Sequence, residues 1–234
     1  MISIIIPVYN MLEELAKCLA SLGKQTYKDF EVVVVDDGSS HKNTENTKTR
    51  KHDLAIKFCR IEHSGAPRAR NFGLEKSKGE YILFCDADME LKEDCLEKML
   101  KALENNLSAS YVYADFKYGW KKFKFWDFDA DKLKQINFVN TCSLVRRQAL
   151  DGVSWDESLE KFQDWDLWLS LLEKGKIGVY IPEVLFKASA GSGKISQWLP
   201  KTFYKLPFSW ESKKKYEKWK RVVQEKHKIL KSEV

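Results

Sequence analysis

Apolar and polar positions follow two alternating periods over the first hundred residues. Short runs rich in valine and isoleucine predict buried strands, and the segments between them repeat apolar residues every three or four positions, which predicts helices. The predicted strands cover residues 2–6, 30–35, 54–61 and 80–85, and the predicted helices cover residues 12–25, 66–77 and 92–106. This succession predicts a parallel sheet with helices on both faces.

The second half of the chain has a less regular pattern. Its predicted elements are an alternating stretch that suits one or two antiparallel strands at 108–129, a strand running into a helix at 139–150, a strongly apolar helix at 163–175 and a strand at 177–182. Residues 183–210 follow no clear period. The second half therefore predicts an addition to the parallel sheet rather than its simple continuation.

The C-terminal tail differs from the rest of the chain in charge. Residues 198–234 hold eleven Lys and Arg against four Asp and Glu, a net of +7, while the whole chain carries +6, so the remainder sums to 6 − 7 = −1. A nearly neutral body argues against a nucleic-acid-binding domain. Tyr216, Trp219, Val223 and Leu230 lie at helical spacing among the tail lysines. Such a helix either packs this stripe on the protein or lies on an anionic membrane.

Length and composition narrow the class of protein. A chain of 234 residues with 44% hydrophobic residues suits one large α/β domain or a domain with an appendage. No apolar run approaches the roughly 18 residues of a membrane span, and the short apolar start is expected to be a strand rather than a signal peptide. Five scattered cysteines without a C-x-x-C spacing predict reduced thiols and a cytoplasmic protein.

Polar clusters follow three of the predicted strands, and their sequences are "PVYN", "DDGS" and "DAD". In open α/β sheets, ligands bind beyond the carboxyl ends of the strands, so the three clusters are expected to meet in one crevice. Tyr9 can pack on a flat base, and Asp37 can accept hydrogen bonds from a base or a ribose. Asp86 and Asp88 lie on one side of an extended segment, and carboxylates are ligands that Mg²⁺ and Mn²⁺ prefer. Each cluster also has a structural explanation as a turn or a cap.

Together these clusters resemble glycosyltransferase family 2, whose members have the GT-A fold. The segments that carry the resemblance follow the family's order over about residues 1–190, and they are "IIIPVYN", "EVVVVDDGSS", "GAPRARNFGL", "GEYILFCDADMEL", "SLVRRQAL", "SWDESLEKFQDWDLWLSL" and "YIPEVLF". The resemblance implies an α/β, Rossmann-like, mostly parallel sheet flanked by helices, with a C-terminal helical extension. It also suggests a nucleotide-sugar-binding half at 1–100, an acceptor-binding and catalytic half at 101–190, and a basic aromatic extension at 191–234.

The resemblance implies roles for residues at the strand ends. Pro7, Tyr9 and Asp37 would line the nucleotide pocket. Asp86 would contact the ribose, and Asp88 would bind Mn²⁺ or Mg²⁺. Arg70, at the start of the helix after the third strand, either neutralises the donor diphosphate or pairs with an aspartate of the crevice. These residues form the predicted donor and metal site.

Asp164 is the candidate catalytic base. In the family an acid-acid pair opens the corresponding helix and the second acid is the usual base, whereas here Gln163 replaces the first acid. A base needs only one carboxylate within reach of the acceptor hydroxyl, and the N-terminus of a helix is expected to lower its pKa. The alternative is that Asp164 only caps the helix. Met89 stands where many relatives have a third aspartate, which predicts weaker metal binding.

The sequence therefore predicts an inverting, metal-dependent glycosyltransferase. It would move a sugar from a nucleotide diphosphate, UDP being the commonest in the family, to a hydroxyl of a glycan or a lipid-linked acceptor in cell-surface polysaccharide synthesis. The expected location is the cytoplasm, at the inner face of the membrane if the tail binds lipid. A non-catalytic nucleotide-sugar or glycan-binding module, a nucleotidyltransferase and a membrane-surface scaffold are the alternatives, and a nucleotidyltransferase is disfavoured because no Gly-rich basic loop follows the first strand.

Overall fold

A computed structural model describes residues 1–40, 54–189 and 210–229. Four parallel strands, each from one of the predicted apolar runs, form one half of a nine-stranded sheet: β1 (Ile2–Val8), β2 (Phe30–Asp37), β3 (Ile56–Ile61) and β4 (Tyr81–Phe84). β1 and β4 are buried along their whole length, as strands covered on both faces must be. The predicted succession of strands and helices is confirmed for this half.

The second half of the chain extends the same sheet. Its strands are β5 (Met89–Leu91), β6 (Ala109–Tyr118), β7 (Lys121–Phe123), β8 (Leu144–Arg146) and β9 (Ile177–Ala188), and the strand order is β3-β2-β1-β4-β8-β6-β9-β5, with β7 paired to β6. β6 and β9 run in the direction of β1, and β5, β7 and β8 run against it. The predicted α/β fold with a mostly parallel sheet is confirmed.

Helices cover both faces of the sheet. They are α1 (Leu12–Gly23), α2 (Ala66–Lys76), α3 (Cys95–Glu104), the short α4 (Ala130–Gln135), α5 (Gln163–Glu173) and α6 (Trp210–Lys226). Ile4 and Ile6 contribute to the core that contains the apolar sides of α1 and α3, and Ile5 contributes to the core that contains α5 and Val223 of α6. This alternation follows from the two-residue period of a strand.

Three local expectations differ from the structure. The strand and helix expected over 139–150 are only the three-residue β8 and a 3₁₀ turn at Arg147–Leu150, and β9 continues beyond 182 as far as Ala188. β5 and α4 were not expected, because three- and six-residue elements are too short for a period to show. Short elements depend on pairing with distant segments, as β5 does with β9.

The apolar stripe of the tail packs on the rest of the protein. Val223 is fully buried in the core beneath α5, and Trp219 packs against the same core. Tyr216 is 39% exposed, yet its ring meets the edge of Phe162 at a centroid distance of 4.9 Å. Leu230 and residues 190–209 lie outside the described residues. Of the two accounts of the stripe, internal packing is the one that the described tail shows.

Among the described segments, no helix has both the length and the apolar character that are needed to cross a bilayer.

Candidate functional site

The carboxyl ends of three neighbouring parallel strands bring the predicted clusters to one edge of the sheet. Val8 pairs in register with Asp36, and Ile5 pairs with Phe84, so the residues that follow β1, β2 and β4 leave the sheet on the same side. The fold therefore creates the crevice that the strand-end clusters predict.

Asp37 organises the loop that leads into α2. Its carboxylate is 4% exposed, and its two oxygens accept hydrogen bonds from the backbone N–H groups of Ser64 at 2.8 Å and Gly65 at 2.9 Å. Gly65 has a φ of 95°, a conformation that favours glycine. Oδ2, the oxygen that Gly65 contacts, also lies 2.9 Å from Nδ1 of His63, so Oδ1 is the oxygen that keeps a lone pair for a ligand.

An aromatic pair borders the same edge. The ring of Tyr9 stacks on the imidazole of His63, with centroids 4.0 Å apart and planes inclined by 16°. Tyr9 is 39% exposed, and the His63 imidazole lies 2.9 Å from the Asp37 carboxylate. Pro7 is buried within β1 beside Val35, so its part in a pocket remains a prediction. The sequence analysis missed His63, although its place just after β3 is a signal of the kind that selected Tyr9.

Asp36, unlike Asp37, has an internal cation partner. Arg60 donates to its carboxylate at 2.7 Å, and the backbone N–H of Ser39 donates to the other oxygen at 2.9 Å. Gly38, which lies between Asp37 and Ser39, has a φ of 77°. A Cβ atom at this position would lie 2.8 Å from the backbone nitrogen of His63. Asp36 therefore stabilises the tight turn that holds Asp37 and His63 together.

Arg70 joins the segment that carries Asp86 to the start of α5. It is buried in α2, and it donates to the Asp86 carboxylate at 2.6 Å and to the side-chain oxygen of Gln163 at 3.3 Å. Its guanidinium lies 4.4 Å from the centre of the Trp155 ring, and its Nε has no partner within the described residues. Of the two contacts expected for Arg70, the structure shows the one with Asp86, and a contact with the donor diphosphate stays a prediction.

Asp88 lies in a half-buried position where its charge is unfavourable. Burial, followed by the negative charges of Asp86 and Glu14, raises the pKa of Asp88 to about 7. A divalent cation between Asp86 and Asp88 would relieve this repulsion. Met89 is buried in the core, so the position of the family's third aspartate does not face the crevice here.

The donor set for a metal consists of two carboxylates. No group of three or more His, Cys, Asp or Glu side chains suited to a metal occurs in the described part of the chain. Mg²⁺ and similar ions usually take one or two carboxylates and complete their shell with water and substrate phosphates. Asp86 and Asp88 fit a cation of that kind.

Asp164 lies at the N-terminus of α5, on the other side of the crevice from the strand-end clusters. Asn137 donates from Nδ2 to one carboxylate oxygen at 2.8 Å, and the backbone N–H of Trp165 donates to the other at 2.9 Å. Phe162 precedes the helix in the left-handed conformation with a φ of 60°, which costs of order 1–3 kcal/mol for a residue other than glycine. Such strain is typical of positions where a functional side chain must be aimed.

The expected lowering of the Asp164 pKa by the helix N-terminus is wrong. Burial raises the pKa of Asp164, and it outweighs the opposing hydrogen bonds of Asn137 and Trp165 and the charge of Arg70. This burial could not be read from the sequence, because groups near Asp164, such as Asn137 and Arg70, come from distant segments of the chain. A carboxylate with a raised pKa is a stronger base than the expected one.

Asn137 is a site residue that the sequence analysis missed. It lies between α4 and β8, and only its contact with Asp164 distinguishes it from other asparagines. Its side-chain Oδ1 is buried without a partner in the described segments. Such an unsatisfied acceptor beside the carboxylate of the candidate base is suited to a hydroxyl of a bound molecule.

Charged side chains at the end of α6 and just after it pair with carboxylates of α5. Asp166 is fully buried and lies 2.7 Å from Lys226 Nζ and 2.9 Å from His227 Nε2. The other nitrogen of His227 lies 2.8 Å from Glu173. Trp165 is 1% exposed and donates from its indole to a backbone oxygen, so it does not face an acceptor. Asp166 and Trp165 are therefore packing residues.

A family model matches most of the chain. The model described as Glycosyl transferase family 2 matches residues 3–153, a segment that contains β2 to β4, all of β1 except Ile2, and both aspartates of the "DAD" cluster.

Curated relatives agree with this match. A glycosyltransferase of Rickettsia conorii is 29% identical over 191 residues, which cover 76% of this chain and 31% of the relative. One of Methanocaldococcus jannaschii is 27% identical and covers 92% of this chain and 81% of the relative. GlyA of Streptococcus pneumoniae is 40% identical over 44% of this chain. The chain thus spans about a third of the Rickettsia relative.

Solved structures share the fold. S. aureus TarS in complex with UDP-GlcNAc superimposes with a TM-score of 0.73 at 21% identity, over 87% of this chain and 63% of that chain. The mannosyltransferase PcManGT from Pyrobaculum calidifontis, in complex with GDP-Man and Mn²⁺, gives 0.65 at 20% identity over 82% and 57%. At this identity the likeness concerns the fold alone.

Proposed function

Because the chain belongs to glycosyltransferase family 2, we propose that it transfers a sugar from a nucleotide diphosphate to an acceptor hydroxyl, with inversion at the anomeric carbon. One observation carries the proposal: Arg70 bonds both to Asp86 of the predicted donor side and to Gln163, the neighbour of the candidate base Asp164. A donor aspartate pair and a base on opposite sides of one crevice are what direct displacement requires.

The donor side is proposed to bind the nucleotide across the strand ends. The exposed Tyr9 ring, held by His63, offers a flat surface for a base, and the remaining lone pair on Oδ1 of Asp37 can accept its N–H. Asp86 would accept from the ribose. A UDP-sugar is the first candidate, since TarS was solved with UDP-GlcNAc, and a GDP-sugar is the second, since PcManGT was solved with GDP-Man.

Asp88, together with Asp86, is proposed to hold Mn²⁺ or Mg²⁺. When bound, the cation would stabilise the negative charge that the departing diphosphate acquires. The support is the raised pKa of Asp88, which burial and then the negative charge of Asp86 cause, and the presence of Mn²⁺ in the PcManGT complex.

Asp164 is proposed to be the general base. The acceptor oxygen would attack the anomeric carbon opposite the diphosphate, the bond from that carbon to the phosphate oxygen would break, and the acceptor proton would pass to the Asp164 carboxylate. Asn137 holds this carboxylate at 2.8 Å, and burial raises its pKa toward the range in which a base is effective. The inward-facing oxygen of Asn137 would accept from a second acceptor hydroxyl.

The two halves of the chain are proposed to divide the work, with donor binding at 1–100 and acceptor binding and catalysis at 101–190. A glycan or a lipid-linked sugar of a cell-surface polysaccharide is the proposed acceptor class, and cytoplasmic synthesis remains a prediction.

Two measurements test the proposed activity. First, melting temperatures with a panel of nucleotide sugars should rise only for the true donor, and more with Mn²⁺, because a ligand that binds the folded state stabilises it. Second, that donor should release nucleoside diphosphate slowly in water. Asp164→Asn should lower this release at least 100-fold, whereas Asp131→Asn, at a carboxylate that is 85% exposed, should leave it unchanged.

Donor binding without any release by the intact chain, with or without Mn²⁺ and acceptor sugars, would instead identify a non-catalytic binding module. No response to any nucleotide sugar would reject the proposal altogether.

A further inference from the structure

The hairpin of β6 and β7 exposes a tryptophan at its tip. The turn consists of Gly119, which has a φ of 56°, and Trp120, which is 91% exposed. Trp120 is the most exposed large hydrophobic side chain in the described part of the chain. Tryptophan is highly buried on average, so this exposure calls for an explanation.

Stacked aromatic rings lie in the hairpin beneath Trp120. Phe116 stacks on Phe123 at 4.9 Å, on Phe125 at 5.9 Å and on Phe186 of β9 at 6.0 Å. These aromatic contacts across three strands fix the direction of the tip. The Trp120 side chain therefore projects into solvent from a hairpin whose aromatic rings pack on each other and on β9.

The same tip is basic. Residues 117–124 include lysines at 117, 121, 122 and 124 and contain no Asp, Glu, Asn or Gln. Lys122 lies 3.4 Å from the buried Asp115, while Lys117 and Lys124 are exposed. The stretch thus joins an outward-facing tryptophan with a concentration of positive charge.

The tip is connected to the metal side of the crevice. The backbone N–H of Gly119 donates to the carbonyl of Ala188 at 3.3 Å, and the next residue, Ser189, donates its backbone N–H to the carbonyl of Asp88 at 3.0 Å. Any surface that binds the hairpin therefore lies next to the segment that carries Asp88.

We propose that this hairpin docks the protein on an anionic lipid surface. Tryptophan favours the membrane–water interface, and lysines near anionic headgroups add an electrostatic attraction. The lysines of residues 117–124 match the negative charge of such headgroups. A sugar polymer fits less well, because its hydroxyls call for carboxylate and amide partners, which these residues lack. Because the apolar stripe of α6 packs on the core, the hairpin is better suited to this contact than that stripe is.

Docking would present the crevice to acceptors that are held in the same lipid surface. The inference goes beyond the proposed transfer reaction and is tested without it, because vesicle binding is measured with no donor, acceptor or turnover.

The test is co-sedimentation of the intact chain with vesicles of phosphatidylcholine, with and without phosphatidylglycerol. We expect binding only to the anionic vesicles, and weaker binding at high salt. Trp120→Ala should weaken this binding about tenfold. The double substitution Lys117→Ala and Lys124→Ala should weaken it about 30-fold. Brominated lipids should quench tryptophan fluorescence in the intact chain and much less in the Trp120→Ala variant.

Matched controls lie away from the hairpin. Leu107→Ala removes a side chain that is 85% exposed, and the pair Lys24→Ala and Lys101→Ala removes two exposed charges. Both should bind vesicles as the intact chain does. Absence of binding to anionic vesicles, or equal binding by Trp120→Ala at an unchanged melting temperature, would overturn the inference. Hairpin-dependent binding to a soluble anionic polysaccharide without vesicle binding would overturn it in favour of a polymer.

Discussion

At the residue scale, two carboxylates of the crevice are raised in pKa for different reasons. Burial and the negative charge of Asp86 raise the pKa of Asp88, so a bound cation would stabilise its ionised form. Burial raises the pKa of Asp164 although the hydrogen bond from Asn137 opposes it, so this carboxylate is suited to accept a proton from a hydroxyl. Neighbouring acids with distinct environments commonly divide the roles in a catalytic site.

Asp88→Ala should abolish Mn²⁺-dependent transfer, by at least 100-fold, while the fold is retained, because the substitution removes the candidate metal carboxylate. The measurements are initial rates across a Mn²⁺ titration and the circular dichroism spectrum. Asp131→Ala, at an exposed position, is the control. Undiminished wild-type activity in excess chelator would contradict the metal assignment.

Asn137→Ala should move the acidic limb of the kcat/KM profile to higher pH. Its hydrogen bond favours the ionised form of Asp164, so without it the pKa rises and the base remains protonated up to a higher pH. kcat should fall about tenfold or more. Asn140→Ala, which removes a different buried amide that bonds to a backbone oxygen, should reduce stability without moving the limb. A limb that stays in place in Asn137→Ala would argue against Asp164 as the base.

At the element scale, the position of α5 depends on α6. Tyr216 contacts Phe162 just before the start of α5, and Lys226 and His227 contact Asp166 in its first half. A fully buried aspartate is stable only when its charge is paired and hydrogen-bonded, so these contacts are strongly coupled. The C-terminal helix is therefore a positioning element for the helix that carries Asp164.

His227 makes this contact sensitive to pH. Burial lowers its pKa, but hydrogen bonds and charges from Asp166 and Glu173 outweigh burial, so the pKa is raised overall. A raised pKa stabilises the folded state below the unfolded value of about 6.5, and that stability is lost as pH rises through the folded value.

His227→Gln should therefore lower the melting temperature by several degrees at about pH 6, and the difference from wild type should shrink in alkaline solution. Thermal unfolding at several pH values measures this. Lys218→Gln, at an exposed position of α6, should show no such convergence. A difference that is constant with pH would show that protonation of His227 does not contribute.

At the scale of the whole molecule, one sheet joins both halves of the chain. β4 of the first half pairs with β8 of the second, and the core under α5 receives residues from β1, β4 and α6. Donor and acceptor sides are thus parts of one packed structure, and the tail contributes to its core.

Deleting residues 211–234 should lower the melting temperature by several degrees and expose apolar surface to a hydrophobic dye. The reason is that Val223 and Trp219 leave a packed core and that Asp166 loses its partners. The matched control is the exposed substitution Lys213→Ala, which should leave both measurements unchanged. Equal stability of the truncated chain would show that α6 contributes little to the fold.

The sequence alone determined the order of the longer strands and helices, the strand-end clusters with Tyr9, Asp37, Asp86 and Asp88, and Asp164 in the first turn of α5. These are local properties, because periodicity and turn residues act over a few positions.

Only the tertiary structure determines which side chains come into contact. Arg70 reaches Gln163, 93 positions away, and Asn137 reaches Asp164. The direction in which the Asp164 pKa shifts and the burial of the α6 stripe also depend on the tertiary structure, since distant segments of the chain determine which groups lose water. The physical reason is that the order of strands in the sheet, which no local pattern encodes, brings these segments together.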